Sequence, residues 1–323
     1  MMVVALNPGD HVIGLDIGGT KTMAVVFDHE FKELGSCRKR TIGKNQKEST
    51  EERLFRVIDT AIESAGEGAL QAIGAGAPGP TDRARGVVID TPNLGWKEFC
   101  LGKMLSERYN VPAVIENDVN AGTYGEWAFG EISTCKNVLG VFPGTGIGAG
   151  LIVDGALLHG FSGSAGEIGH MTLAVDGPLC GCGKRGCLEA IASRLAIAKE
   201  VGALAARGDA PYICAHCGTD LRKIRSGALA KAIEAGDQQV EAVVRKAAFY
   251  TGIAVANAIN LVSPEAVVLG GGLVEAMESV YLAEVQRGIE EHAMPMLRHN
   301  VQLVPARLGD YAVALGAARM ALE

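Results

Sequence analysis

Aromatic residues make up only 5% of this chain, with 2 tryptophans in 323 residues. The interior must therefore be built from Ala, Val, Ile and Leu, within a hydrophobic content of 48%. No block rich in Lys or Arg is present and the net charge is −7, which argues against nucleic acid as the main partner. No uninterrupted apolar run reaches membrane-spanning length, so no membrane partner is expected. The N-terminus lacks a charged region followed by an apolar stretch and a cleavage site, and the expectation is a cytoplasmic protein. A Gly-x4-Gly-Lys-Ser/Thr loop is missing, which excludes a Walker-type nucleotide site. No Gly-x-Gly-x-x-Gly opens a helix after the first strand, which weakens a dinucleotide-binding reading.

What the chain has in quantity is glycine, 43 residues placed between apolar runs, and 8 cysteines. Without a secretory signal, clustered cysteines bind metal more often than they form disulfides. His170, Cys180, Cys182 and Cys187 place one imidazole and three thiols within 18 residues, a complete tetrahedral set for a structural zinc. Glycines at 181, 183 and 186 let the backbone turn tightly between them. The plainer readings are buried hydrophobic cysteines or a disulfide. A zinc here would stiffen a loop flanked by Glu167 and Glu189.

Apolar runs alternate with helical periodicity and no long linker intervenes, which implies an α/β architecture. His11–Ile17 and Thr22–Phe27 read as strands around a Gly18-Gly19-Thr20-Lys21 turn. Ser49 and Glu52 have capping-box spacing and open an amphipathic helix ended by Gly66. Strands are expected at 72–77, 111–115 and 266–269, and helices at 188–207, 221–235, 238–260 and 311–322. A second glycine hairpin, 136–142 and 147–153 around Pro143-Gly144-Thr145-Gly146, repeats the logic of the first and suggests two related halves.

Asp16-x-Gly18-Gly19-Thr20 is the first chemical candidate. Consecutive backbone N–H groups can cradle phosphate oxygens, and an Asp at a strand end can hold Mg²⁺ through water. A Gly-Gly pair between strands is also a plain turn, but the second turn at 144–146 doubles the signal. Gly270-Gly271-Gly272 follows a buried strand and suits close approach of a base or ribose. Glu116-Asn117-Asp118 sits where a strand gives way to a helix. Asp118 is either a helix cap or a general base that takes a hydroxyl proton as the oxygen attacks a phosphoryl group. Glu167, His170 and Glu189 offer acceptors for adjacent hydroxyls of a polyol, with support of the metal as the alternative for Glu189. Asn93 adds an amide on a turn. Tyr212-Ile-Cys214-Ala-His216-Cys217 reads as a surface loop, a second metal site being the weaker reading.

Leu15-Asp-Ile-Gly-Gly-Thr-Lys21, Ala77-Pro-Gly-Pro80, Pro92-Asn-Leu-Gly-Trp96, Glu116-Asn-Asp-Val-Asn120, Gly144-Thr-Gly-Ile-Gly148, Gly166-Glu-Ile-Gly-His170 and the cysteine cluster together resemble the ROK sugar kinases, glucokinase-like members of the hexokinase/actin-like ATPase superfamily. The resemblance implies two ribonuclease-H-like domains with a hinged cleft: a smaller one of 1–118 plus 311–323, and a larger zinc-bearing one of 119–310. It implies ATP-dependent, Mg²⁺-assisted phosphorylation of the 6-hydroxyl of a hexose. Asp118 matches the catalytic base. Asn93, Asn117, Glu167, His170 and Glu189 match sugar-binding positions. Asp16, Gly18, Gly19, Thr20, Lys21, Gly144, Thr145, Gly146 and Gly271 match nucleotide and phosphate positions. A homodimer or homotetramer is implied as well. Leu157–Ala165 resembles glucokinase members, so glucose is the first candidate, with fructose, mannose, allose and N-acetylhexosamines as alternatives. A sugar-responsive repressor is a reading from another class. Only 11 residues precede Val12, too few for a helix-turn-helix. A zinc-stabilised sugar binder without turnover would not need Asp118 or either phosphate loop.

Overall fold

A computed structural model describes residues 5–41, 49–91 and 93–323. Contacts divide the chain into two compact units, Met1–Thr134 with Leu157–Ala165 and Asp310–Glu323, and Cys135–Ala156 with Gly166–Gly309.

In the first unit the chain runs β1 (Asp10–Ile17), β2 (Lys21–Phe27), β3 (Glu33–Arg40), α1 (Thr50–Ala65), β4 (Ala69–Ala77), β5 (Thr81–Asp82), β6 (Val87–Thr91), β7 (Trp96–Phe99), α2 (Leu101–Tyr109), β8 (Ala113–Asn117) and α3 (Asp118–Phe129). The main sheet has the order β3-β2-β1-β4-β8. Strands β1, β2 and β3 form an antiparallel meander, while β4 and β8 run parallel to β1. Alternation along β1 sends Ile13, Leu15 and Ile17 to one face, where Leu54, Val57, Ile58 and Ala61 of α1 cover them. Helix α1 starts at the expected capping box: Glu52 N donates to Ser49 Oγ at 3.0 Å and Ser49 N to Glu52 Oε2 at 2.9 Å. The other face of β1 carries Val12, packed with Val25, Ala72, Ala314 and Ala318.

The second unit runs β9 (Val138–Pro143), β10 (Ile147–Val153), β11 (Ala156–Leu157), α4 (Leu188–Ala192), α5 (Arg194–Arg207), α6 (Pro211–His216), α7 (Ser226–Glu234), α8 (Gln238–Val262), β12 (Ala266–Leu269), α9 (Gly272–Ala276), α10 (Glu278–His292), α11 (Pro295–Arg298) and β13 (Gln302–Pro305). The chain then closes the first unit with α12 (Ala312–Met320). Sheet order in the second unit is β11-β10-β9-β12-β13. An antiparallel β9–β10 hairpin is followed by β12 and β13 running parallel to β9, so the core pairing of the first sheet recurs. No described helix is long and apolar enough to cross a membrane.

Several expectations change. The boundary expected at residue 118 falls instead at Thr134, because α3 packs on α12. Gly316 makes that fit: a Cβ there would lie 1.8 Å from the Ala121 carbonyl oxygen. Residues 157–165 also return to the first unit. The helix expected over 188–207 breaks at Ser193, whose Oγ accepts from Ala196 N at 3.2 Å and starts α5 afresh. The helix expected from 221 starts at Ser226. The Tyr212–Cys217 segment is not a loop: Tyr212–His216 belong to α6 and Cys217 is its C-cap. Its two thiols donate to the Ala205 and Lys223 carbonyls, and neither belongs to a metal-type cluster among the described residues.

Candidate functional site

In the first unit, the carboxyl ends of the parallel strands β1, β4 and β8 lie side by side, the end of an α/β sheet where ligands bind. Asp16 is the penultimate residue of β1, and its register partner Gly76 on β4 pairs in turn with Glu116 on β8. The next two residues decide the local chemistry. Asn117 is the N-cap of α3: its Oδ1 accepts from Val119 N (2.9 Å) and Asn120 N (3.2 Å), and its Nδ2 donates to Gly79 O (3.2 Å). Capping thus falls to Asn117, and Asp118 at the first helical position is left for another task. Asp118 Oδ1 accepts from Val119 N at 2.9 Å. Burial pushes the Asp118 carboxyl up to about 6, against the pull of the Val119 and Asp118 N–H groups and the Asn117 side chain. Burial, and then the charge of Asp118, push Asp16 up to about 7 despite the opposing charge of Arg38.

The Gly18–Lys21 turn closes through Gly18 N donating to Lys21 O at 2.9 Å. Thr41 clamps it from outside, its Oγ1 donating to Gly18 O at 2.5 Å and its N to Thr20 O at 3.0 Å. Asn93 comes to the same place, 3.5 Å from where a Cβ on Gly19 would lie. Pro92 lies outside the described residues.

Its motif gives Glu116 no role of its own in the sequence. Its carboxylate is buried and fully engaged: Oε2 meets His159 Nε2 at 2.8 Å and Arg83 Nη1 at 3.2 Å, while Oε1 accepts from Asn120 Nδ2 and Asn117 N, each at 3.0 Å. Burial would raise its pKa, but the hydrogen bonds from His159 and Asn120 outweigh it and hold Glu116 below its ordinary value. Glu116 is therefore an anchor that ties Leu157–Ala165 to the base of α3. Sequence distance hid the pairing, since His159 lies 43 positions away.

In the second unit, the Gly144–Gly146 turn joins β9 to β10, with Gly144 N donating to Gly146 O at 2.8 Å. Gly271, at φ +84°, sits against its entry, where a Cβ would lie 2.8 Å from Pro143 O. Glu189 braces the exit: its Oε2 accepts from Ile147 N at 3.1 Å, and a Cβ on Gly146 would lie 2.3 Å from that oxygen. Expected at a sugar or behind the metal, Glu189 is seen here holding the turn.

His170, Cys180, Cys182 and Cys187 converge, their ligand atoms all within 4.8 Å of one another. Tetrahedral zinc, with bonds of about 2.3 Å to sulfur and about 2.0 Å to nitrogen, sets edges of about 3.8 Å between sulfurs and about 3.5 Å between sulfur and nitrogen. Cys182 Sγ and Cys187 Sγ are 3.7 Å apart, and Cys180 Sγ lies 3.6 Å from His170 Nδ1. The donor set fits a metal ion of this kind. His170 Nδ1 faces the thiols, leaving Nε2 towards Glu167 Oε2 at 3.9 Å across a single 3₁₀ turn. Cys187 also begins α4, the helix that carries Glu189, so the cluster and the brace on the turn share one short segment.

The ROK family model matches residues 12–323. This chain belongs to the ROK family. A glucokinase of Streptomyces coelicolor is 33% identical over 96% of this chain and 97% of its own length. A xylose repressor of Bacillus subtilis is 30% identical over 100% of this chain and 80% of its own. Among solved structures, a Streptomyces griseus ROK glucokinase in complex with glucose and AMPPNP matches at 30% identity with a TM-score of 0.83, covering 96% of this chain and 99% of that one. The fold is accordingly that of the ROK sugar kinases, two actin-like ATPase domains.

Proposed function

We propose that this ROK protein is an ATP-dependent hexose kinase that phosphorylates the 6-hydroxyl, with glucose as the first substrate to test. The observation that carries the reading is Asp118. It stands at the start of α3, relieved of capping by Asn117, with a carboxyl held near neutrality at about 6. A group so placed accepts the hydroxyl proton while the sugar oxygen bonds to the donor's terminal phosphorus and the bond to the departing phosphate breaks. Relatives named glucokinase at 33% and 35% identity support the same activity.

Asp16 would hold Mg²⁺ with the donor, and the ion would offset phosphate charge. The turns Gly18–Lys21 and Gly144–Gly146, with Gly271, would meet the donor through backbone N–H groups. Asn93, Asn117, Glu167, His170 and Glu189 are proposed for the sugar hydroxyls. A zinc on the cysteine cluster would keep the chain around Glu189 rigid. We further propose a cytoplasmic homodimer or homotetramer.

The second reading is a sugar-responsive regulator, which the match to a xylose repressor over the whole of this chain and 80% of the repressor favours. An ADP-release assay with Mg-ATP against hexoses, N-acetylhexosamines and xylose separates the two. Turnover of one hexose supports the kinase. Xylose binding with no ADP from any sugar would sink it and favour the regulator.

A further inference from the structure

Arg194 stands at the Gly144–Gly146 turn and Arg225 lies near enough to act on its charge, neither with a carboxylate partner among the described residues. Arg194 opens α5 and is fixed twice: its N donates to Gly144 O at 2.9 Å and its Nη2 to Thr145 Oγ1 at 2.9 Å. The Thr145 oxygen accepts there, and its rotatable hydroxyl hydrogen is left to donate. Arg225 precedes α7 and is pinned by Nε donating to Arg222 O at 3.2 Å, leaving both terminal nitrogens for a ligand. The next residue, Ser226, places Oγ 3.7 Å from where a Cβ on Gly272 would lie, and Gly271 abuts Pro143. One small region therefore gathers a glycine turn, a glycine-led helix start and two guanidinium groups. Burial, and then the charge of Arg225, hold Arg194 below its ordinary pKa, so the two cations repel each other. An anion placed on both forks relieves that repulsion.

We propose that Arg194 and Arg225 form a two-pronged receptor for the phosphate chain of the phosphoryl donor, an inference that rests on the kinase reading. Each planar fork can take two oxygens of a phosphate, and consecutive phosphates of one chain offer a group to each fork. The ligand class is a chain of at least two phosphates, whether in a nucleoside triphosphate or in linear inorganic polyphosphate.

Titration calorimetry of metal-loaded protein with inorganic tripolyphosphate, and separately with ATP, tests this in the wild type, Arg194→Ala, Arg225→Ala and Arg194→Lys. Arg222→Ala is the control for loss of a nearby surface charge, since Arg222 is paired with Asp220. Affinity for both ligands should fall about tenfold in each alanine variant, and less in Arg194→Lys, which keeps charge without the fork. Arg222→Ala and all hexose affinities should stay at wild-type values. In turnover, the loss should fall on the KM of the donor and leave the KM of the hexose. Use of ATP or of polyphosphate by the wild type then names the source. Equal tripolyphosphate binding in all proteins, or an equal loss in Arg222→Ala, overturns the receptor. Arginine-dependent tripolyphosphate binding with no phosphorylation of any hexose keeps the receptor and removes the kinase reading.

Discussion

Asp118 raises the proton affinity of Asp16: the two carboxylates belong to strand ends on either side of β4, and the charge of one adds to the burial of the other. Activity in Mg-ATP should therefore climb with pH as Asp118 loses its proton around 6. Asp118→Asn should bind sugar as before but lose about 10²–10⁴-fold in kcat, with that acidic limb gone from what remains. A variant that keeps near-normal kcat takes Asp118 out of the base role.

Stability has the opposite pH trend at this place. Asp16 binds its proton more tightly folded than unfolded, so its contribution is full below about 3.8 and is lost as pH rises towards about 7. Asp16→Asn should stabilise the fold at pH 8 by about 1–2 kcal/mol after allowance for solvent screening, raising the melting temperature there, and change little at pH 4. Thermal unfolding at both pH values checks the sign.

Glu116 has the ordinary sign for an acid, because its folded pKa is depressed. Its contribution is present above about 4.5 and fades as pH falls through the lower folded value. Arg83→Ala and His159→Ala each remove one partner from a buried anion and should cost about 3 kcal/mol at pH 7. Denaturant titrations that show no loss would mean that solvent replaces those partners freely.

Chelation or Cys182→Ser should abolish bound metal, measured by elemental analysis, and lower the melting temperature. Cys187→Ser should do more harm, because that thiol is fully buried and begins α4. Metal-free wild-type protein, purified without chelator and unchanged on adding zinc, would contradict the fit of the cluster.

At the second turn, Gly146→Ala sets a methyl against Glu189 Oε2, the mobile end of a side chain. The variant should fold, lose the bond to Ile147 N and drop by about 1 kcal/mol. Combined with Glu189→Ala it should cost no more than Glu189→Ala alone, a double-mutant cycle with strong coupling. Additive losses would mean that Gly146 matters for another reason.

Much of this was legible in the sequence where the cause is local. The capping box at Ser49 and Glu52, the hairpins around Gly18 and Gly144 and the cysteine cluster each depend on residues close in the chain. Less was legible where partners are distant. Nothing near Glu116 announces His159, and nothing near Gly146 announces Glu189. The break at Ser193 was missed because apolar spacing continues across it while the serine caps a new helix. The short strands β5–β7 carry too few residues for an alternating pattern to show.

Gly14 on β1 has a consequence for how the protein is made. A Cβ there would lie 1.9 Å from the Ala314 carbonyl oxygen, so α12 rests directly on the first strand. That helix is translated some 300 residues after its seat, with the whole second unit in between. On the ribosome the second unit can complete itself first. The face of β1 around Val12 waits, uncovered and sticky, for α12 to emerge. Refolding from denaturant should accordingly proceed in two phases, the slower one set by the closing of this long loop.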